Sequence, residues 1–268
     1  MMKRIAFLVL VVVMLLPTLC SCVDKTEYAL LCEILANANA KEKYASSCQL
    51  SIINLETERN TCFMQGRVNI DKTNGLKMSG AMTQYVLGEY SNANIAFVNG
   101  EYYTEVGDSR VVTDMSEEML EKQFICSEAP IFDVGDVKNL KVTTDGLQKT
   151  YTFVCEPPRY ILDRITGSDI YSLAGVLSPD YTMTEYHDVE CTYIVTDGVN
   201  AEDMKLVTRF LKFTMYMYSQ MPYVPGVTPD KDDYLTKIEV SCQMTYNAFG
   251  DSVKVDLPDR ADYKKAGE

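Results

Sequence analysis

Histidine is almost absent from this 268-residue chain: His187 stands alone. A Ser-His-Asp nucleophile would have to run through that one residue, and no GxSxG elbow accompanies it. A metal centre is not expected on the same ground, since His187 has no histidine partner and no CxxC occurs. Phosphate loops are missing: the chain holds neither GxxxxGKS, GxxxxGKT nor GxGxxG. Positive charge is also scarce. Lys and Arg number 25 against 38 Asp and Glu, for a formal net charge of −13, and no basic run of five residues reverses this locally. Such a chain repels nucleic acid and gains nothing from an anionic membrane surface.

Long apolar runs are lacking after the first 22 residues. The one run present, Ile5–Leu16, follows Lys3 and Arg4 and is broken by Pro17. A helix of that length reaches only ~18 Å, short of the ~30 Å hydrocarbon core, so it reads as an export signal rather than a permanent anchor. Its end, Leu19-Cys20-Ser21-Cys22, resembles the bacterial lipobox. Cys22 has the large aliphatic three residues before it and the small residue just before it; Cys20 has neither. The resemblance implies cleavage before Cys22, leaving residues 1–21 as signal peptide, and diacylglycerol attachment to the Cys22 sulfur. One acyl chain gives only reversible binding, and two or more hold firmly. Ordinary secretion with nearby cleavage is the alternative. Residues after Cys22 are expected outside the cytoplasm, tethered to the cell membrane, whether inner or outer.

Seven further cysteines are Cys32, Cys48, Cys62, Cys126, Cys155, Cys191 and Cys242. The count is odd and the spacing matches no small disulfide scaffold. Five of them share a phase with apolar neighbours, as Cys62 does with Met64, Val68 and Ile70. There a free cysteine behaves as a small hydrophobe. Buried thiols are expected, with one or two cross-strand bridges left open.

The clearest pattern is Asp233–Gly250. Ile238, Val240, Cys242, Met244 and Tyr246 alternate with Lys237, Glu239, Ser241, Gln243 and Thr245. That is strand period, sustained far beyond the usual ~5–6 residues. Helical spacing over residues 26–44 predicts one helix near the start. Strands are predicted over 48–55, 62–70, 76–82, 94–98 and 101–106, the last two joined by Asn99-Gly100, whose turn demands positive φ. Residues 116–124 read as a short helix. Strands 137–143 and 147–155 follow, then a short helix over 169–177. Strands at 187–196, 204–218 and 253–257 complete the set. Met221–Asp233 is a long Pro-rich loop of the kind that carries function or disorder. No internal repeat or linker divides residues 22–258, so one domain is expected, with 259–268 a flexible tail.

About ten strands with one apolar face each, joined mostly by hairpins, describe an α+β protein. It is a large curved antiparallel β-sheet, closed as a barrel or left as a half-barrel of ten to eleven strands, with helices covering the concave face. An acylated chain with a leading helix, a long sheet and a close of Tyr246-Asn247-Ala248-Phe249-Gly250 before Pro258 resembles the LolA-type fold. In particular it is similar to the LppX/LprG-type envelope lipoproteins. The resemblance implies an open half-barrel whose cavity accepts acyl chains, with no catalytic set. Only Cys22 carries over by motif.

Gly107-Asp108-Ser109 and Gly250-Asp251-Ser252 look like a GDS hydrolase block. Each falls in a predicted turn, and Thr184 fills the place of the Asp in the required Asp-x-x-His. No enzyme and no cofactor are expected, although the acidic residues are too many for sequence to rule out a catalytic pair. Two readings remain. In one, the hollow binds a lipid or other hydrophobic ligand, for which Met and Tyr stripes such as residues 215–218 are suited. In the other, the domain is a tethered protein-interaction or sensor module, using edge strands or the 221–233 loop.

Overall fold

A computed structural model describes residues 24–86, 89–123, 129–156, 181–196, 203–219 and 235–267. Residues 1–21, Cys22, Cys126, the expected helix at 169–177 and the Met221–Asp233 loop lie outside them. Among the described residues, no helix is long and apolar enough to cross a membrane.

Helix α1 (Lys25–Asn39) begins where Asp24 Oδ1 accepts from the backbone N–H groups of Thr26 and Glu27. This satisfies donors that the first turn would otherwise leave bare. Its buried stripe is Tyr28, Leu31, Ile34, Leu35 and Ala38. The chain then makes β1 (Lys43–Asn54), β2 (Arg59–Asp71), β3 (Lys77–Val86), β4 (Glu89–Val98), β5 (Glu101–Val106) and β6 (Ser109–Asp114). Short α2 (Glu117–Gln123) separates these from β7 (Val137–Asp145), β8 (Gln148–Cys155), β9 (Tyr181–Thr196), β10 (Leu206–Ser219), β11 (Leu235–Phe249) and β12 (Lys264–Lys265).

All twelve strands form one open sheet, in the order β12-β6-β5-β4-β3-β2-β1-β11-β10-β9-β8-β7. It consists of two meanders, β1 to β6 and β7 to β11, joined where β1 pairs antiparallel with β11. The seam puts Leu50 opposite Cys242, and Asn247 Nδ2 donates to Ser47 Oγ across 200 residues of sequence. At ~3.4 Å per residue the 15 residues of β11 extend roughly 50 Å. A ribbon that long must coil. Register shifts at Ala45/Ser46 and Ile52/Ile53 and three in the β9–β10 pair supply local bends.

The alternation of the 233–250 stretch decides which face is inside: Ile238, Val240, Cys242, Met244 and Tyr246 are all buried. Asn99 and Gly100 both adopt positive φ (53° and 80°), as the primed hairpin turn requires. At the Asp145-Gly146 hairpin the two loop residues are Gly146 and Leu147, because Asp145 already pairs with Gln148.

Three expectations change. Among the described residues the strand count is twelve rather than ten to eleven. β6 is short and its sequence, SRVVTD, alternates weakly; β12 is two lysines held by backbone bonds, including Ala266 N–H to the Val112 carbonyl (2.9 Å). Residues 253–257 form no strand, because this segment crosses the outer face bonded to side chains instead of to a strand edge. Asn69 Nδ2 donates to the Lys254 carbonyl and the Asp256 N–H to Ser79 Oγ. The residues after Pro258, expected to fray, continue that docking: Arg260 meets Glu101, and Tyr263 packs edge-on against Tyr103.

The cover of the concave face also differs. Among the described residues it consists of α1, the single buried side chain Leu120 from α2, and a non-helical segment, Ala129–Phe132. Pro130 lacks the N–H that a helix would need to continue through this segment.

Candidate ligand-binding faces

The concave face is built from one side chain in two along every long strand. Phe153 of β8 is its aromatic centre. Tyr28 of α1 meets that ring edge-on at 5.7 Å, Phe132 at 6.1 Å, and Tyr193 of β9 stacks on it at 5.8 Å. Such geometries suit the ring quadrupoles. Buried methionines 78, 82, 215 and 244 fill the same layer, and three α1 side chains that are no more than 2% exposed, Leu31, Ile34 and Leu35, press on it.

Polar atoms at this layer bind the cover. Tyr28 Oη donates to the Phe132 carbonyl (2.8 Å) and Tyr193 Oη to the Pro130 carbonyl (3.2 Å). Tyr151 Oη donates to Glu27 Oε2 at the start of α1 (3.2 Å), and Lys149 lies 3.8 Å from the other Glu27 oxygen. Burial pushes the Tyr28 and Tyr193 phenols far up, so both stay protonated donors.

The five cysteines expected inside are inside: Cys48, Cys62, Cys155, Cys191 and Cys242 are at most 3% exposed. All are free thiols. Cys155 Sγ and Cys191 Sγ stand 3.5 Å apart on adjacent strands, hydrogen-bonded without a bridge. Burial raises the Cys191 thiol well above its usual value and pushes Cys242 up to about 11. Thiolate is the reactive form, so these groups are inert at neutral pH.

One residue escaped sequence reasoning. Arg209, in β10, is fully buried on the apolar face, opposite Tyr193 on one side and Met244 on the other. Its charge pulls the Tyr193 and Cys242 pKa values down against burial. The signal was legible as an arginine in phase with Leu211, Phe213 and Met215. A buried guanidinium is costly unless its setting compensates it.

His187 lies in β9 opposite Thr214. No group of His, Cys, Asp and Glu able to hold a metal occurs among the described residues. Gly107-Asp108 is a hairpin turn and Gly250–Ser252 a single 3-10 turn, so neither GDS sequence forms an elbow. Cys22 lies outside the described residues.

The outer face carries two adjoining grooves. One, of about 360 Å³, runs over β11, β1, β2 and β3. The other, of about 610 Å³, lies over β2 to β5 and is walled by Asp256, Leu257 and Pro258 of the docked C-terminal segment. Arg67 and Ala81 line both, so the two form a continuous channel.

No family model matches the chain, and no curated protein does. Among solved structures it is similar to LprF from Mycobacterium bovis, with 14% identity, 85% of this chain and 96% of that one covered, and a TM-score of 0.41. It is also similar to a LolA superfamily protein from Nitrosomonas europaea, with 10% identity, coverage of 86% and 96%, and a TM-score of 0.26. A domain from Vibrio parahaemolyticus named as a putative outer membrane lipoprotein-sorting protein shows 9% identity, coverage of 88% and 95%, and a TM-score of 0.26. LprF and the LolA superfamily protein bear out the likeness in fold that the sequence suggested, to the LolA-type fold and the LppX/LprG-type lipoproteins. With TM-scores below 0.5 the superposition is loose, and it assigns no ligand to this chain.

Proposed function

We propose that this protein is an extracytoplasmic lipoprotein, held at the membrane through acylated Cys22, that carries a lipid or other hydrophobic ligand against the concave face of its half-barrel. It performs no catalysis in this reading. The observation that supports it is how the cover is attached. α1 and the Ala129–Phe132 segment rest on an apolar layer and are tied down by a few side-chain hydrogen bonds, not by strand pairing. In the described state the α1 side chains occupy the hollow, so a ligand enters by lifting this cover. Methionine-rich lining accommodates apolar shapes of different outline.

Mass spectrometry of organic extracts from the purified full chain tests the proposal. A lipid or apolar compound near one per protein is expected, and markedly less from Leu35→Trp, which enlarges the plug. Extracts indistinguishable from those of the buffer-treated control overturn it. Cys22→Ala should move the protein from the membrane to the soluble fraction; unchanged fractionation overturns the tether.

A second reading, a tethered interaction module without cargo, is favoured by one observation: both grooves described above lie on the polar outer face. Blank extracts together with a partner-binding outer face would establish it instead.

A further inference from the structure

Strand register aligns a row of neutral hydrogen-bonding side chains across the outer face. Gln243 of β11 pairs with Gln49 of β1, Gln49 with Gln65 of β2, Gln65 with Thr83 of β3, and Thr83 with Asn92 of β4. Three carboxamides in succession, then a hydroxyl and a fourth carboxamide, occupy a single line perpendicular to the strands. Gln49, Gln65 and Gln243 are exposed and line the 360 Å³ groove. The Gln49 and Gln65 carboxamides make no side-chain hydrogen bond among the described residues, and Arg67 beside them makes no ion pair there. These donors and acceptors are available.

A second row lies two residues along the strands. Phe63 of β2 pairs with Tyr85 of β3, and Tyr85 with Tyr90 of β4. The Tyr85 and Tyr90 rings are 4.7 Å apart, and Tyr90 is 75% exposed. On the other flank, Ser47 and Ala81 are short side chains on either side of Arg67, which hollows the channel.

We propose that this channel binds an extended, β-linked neutral glycan lying across the strands. Three features converge on that occupant. Strands are spaced ~4.8 Å apart, close to the length of one sugar unit in an extended β-linked chain, so successive units meet successive side chains of the row. Carboxamides donate and accept at once, as sugar hydroxyls do, and the apolar face of a sugar ring stacks on aromatic faces such as exposed Tyr90 with half-buried Tyr85 beside it. The groove volume is that of a ligand site. The row itself is uncharged, and the chain's net charge of −13 outweighs the Arg67 cation beside the row, which selects a neutral polymer over an acidic one. The site is on the opposite face from the apolar hollow and stands whether or not that hollow carries a lipid.

Titration calorimetry on the full chain tests this with four probes: cellohexaose, mannohexaose, maltohexaose and a galacturonate hexamer. Saturable one-to-one binding of cellohexaose or mannohexaose is expected. Binding should weaken at least tenfold in the Gln49→Ala/Gln65→Ala double variant, whose melting temperature should not change because both side chains are exposed, and in Tyr85→Ala, which also removes a half-buried ring packed on Tyr90 and should melt somewhat earlier. Maltohexaose curls out of step with the row and should bind at least tenfold more weakly. No heat with either β-linked probe at millimolar concentration overturns the proposal. So does preference for maltohexaose or the galacturonate, or affinity untouched by both variants. If a variant loses its fold, Gln49→Glu/Gln65→Glu replaces it, and retained affinity there likewise overturns the assignment.

Discussion

The side chain of Asn39, at the last turn of α1, and the backbone of Ala129 bond each other in both directions. Asn39 Nδ2 donates to the Ala129 carbonyl at 2.9 Å, and the Ala129 N–H donates to Asn39 Oδ1 at 2.8 Å. Ala129 is 2% exposed, so neither backbone group has water in reserve. The pair works like one rung of a β-ladder laid between a helix end and a loop. It ties the two pieces of the cover together.

Asn39→Ala leaves both Ala129 backbone groups unsatisfied, which costs about 2 kcal/mol. The variant should melt earlier, and the 129–132 segment should become a protease site before the sheet unfolds. Equal melting temperatures and an unchanged cleavage pattern would refute the role assigned to this pair.

Two glycines, Gly66 of β2 and Gly80 of β3, lie where an added Cβ would crowd the neighbouring strand. A Cβ at Gly80 would stand 2.2 Å from the Arg67 carbonyl oxygen and 2.9 Å from Val68 Cγ1, whereas one at Gly66 meets the movable Met82 Sδ first and a backbone oxygen, that of Ala81, only at 2.9 Å. Backbone cannot yield as a thioether end can. Gly80→Ala should therefore destabilise by about 1–3 kcal/mol, as overpacking does, and by more than Gly66→Ala. Denaturant midpoints for the two variants decide it; the reverse ranking contradicts the packing account.

Ser46 is 1% exposed, and its Oγ has no hydrogen-bond partner among the described residues. Removing an unsatisfied buried hydroxyl restores no lost bond and relieves a desolvation cost of about 1 kcal/mol or more. Ser46→Ala is expected to raise stability. A lower melting temperature would show that the hydroxyl is bonded.

The docked C-terminal segment should be sensitive to both acid and alkali. Tyr103 Oη and then Arg260 hold the Glu101 carboxyl below its usual pKa. A lowered carboxyl pKa contributes stability that is complete above the ordinary value of ~4.3 and is lost as pH falls through the lowered one. Burial, followed by Glu101, pushes Tyr103 up to about 12, so the unfolded chain loses that proton first and stability declines as pH climbs from 10.0 towards 12. Melting of the wild type and Glu101→Gln should diverge at pH 6 and converge as the pH drops to 3. Parallel curves throughout would count against the linkage.

Period-two alternation made most of the strands legible, along with the inward cysteines and the Asn99-Gly100 turn. Each depends on neighbours within a few residues. β6 was missed because six weakly alternating residues resemble a loop, and β12 because its two lysines contribute only backbone. The cover was read as helical because apolar spacing favours helices, yet part of it is the non-helical segment around Pro130, held by the carbonyl contacts of Tyr28, Tyr193 and Asn39.

By itself, the sequence determined the long strands and most of the side chains that face inward, because the pleat imposes that choice residue by residue. Only the tertiary structure decided that β1 joins β11, that Arg209 is sealed among tyrosine and methionine, and that three glutamines from distant segments stand in one row. Register between strands up to 200 residues apart is set by the packing of a shared core, and no local pattern carries it.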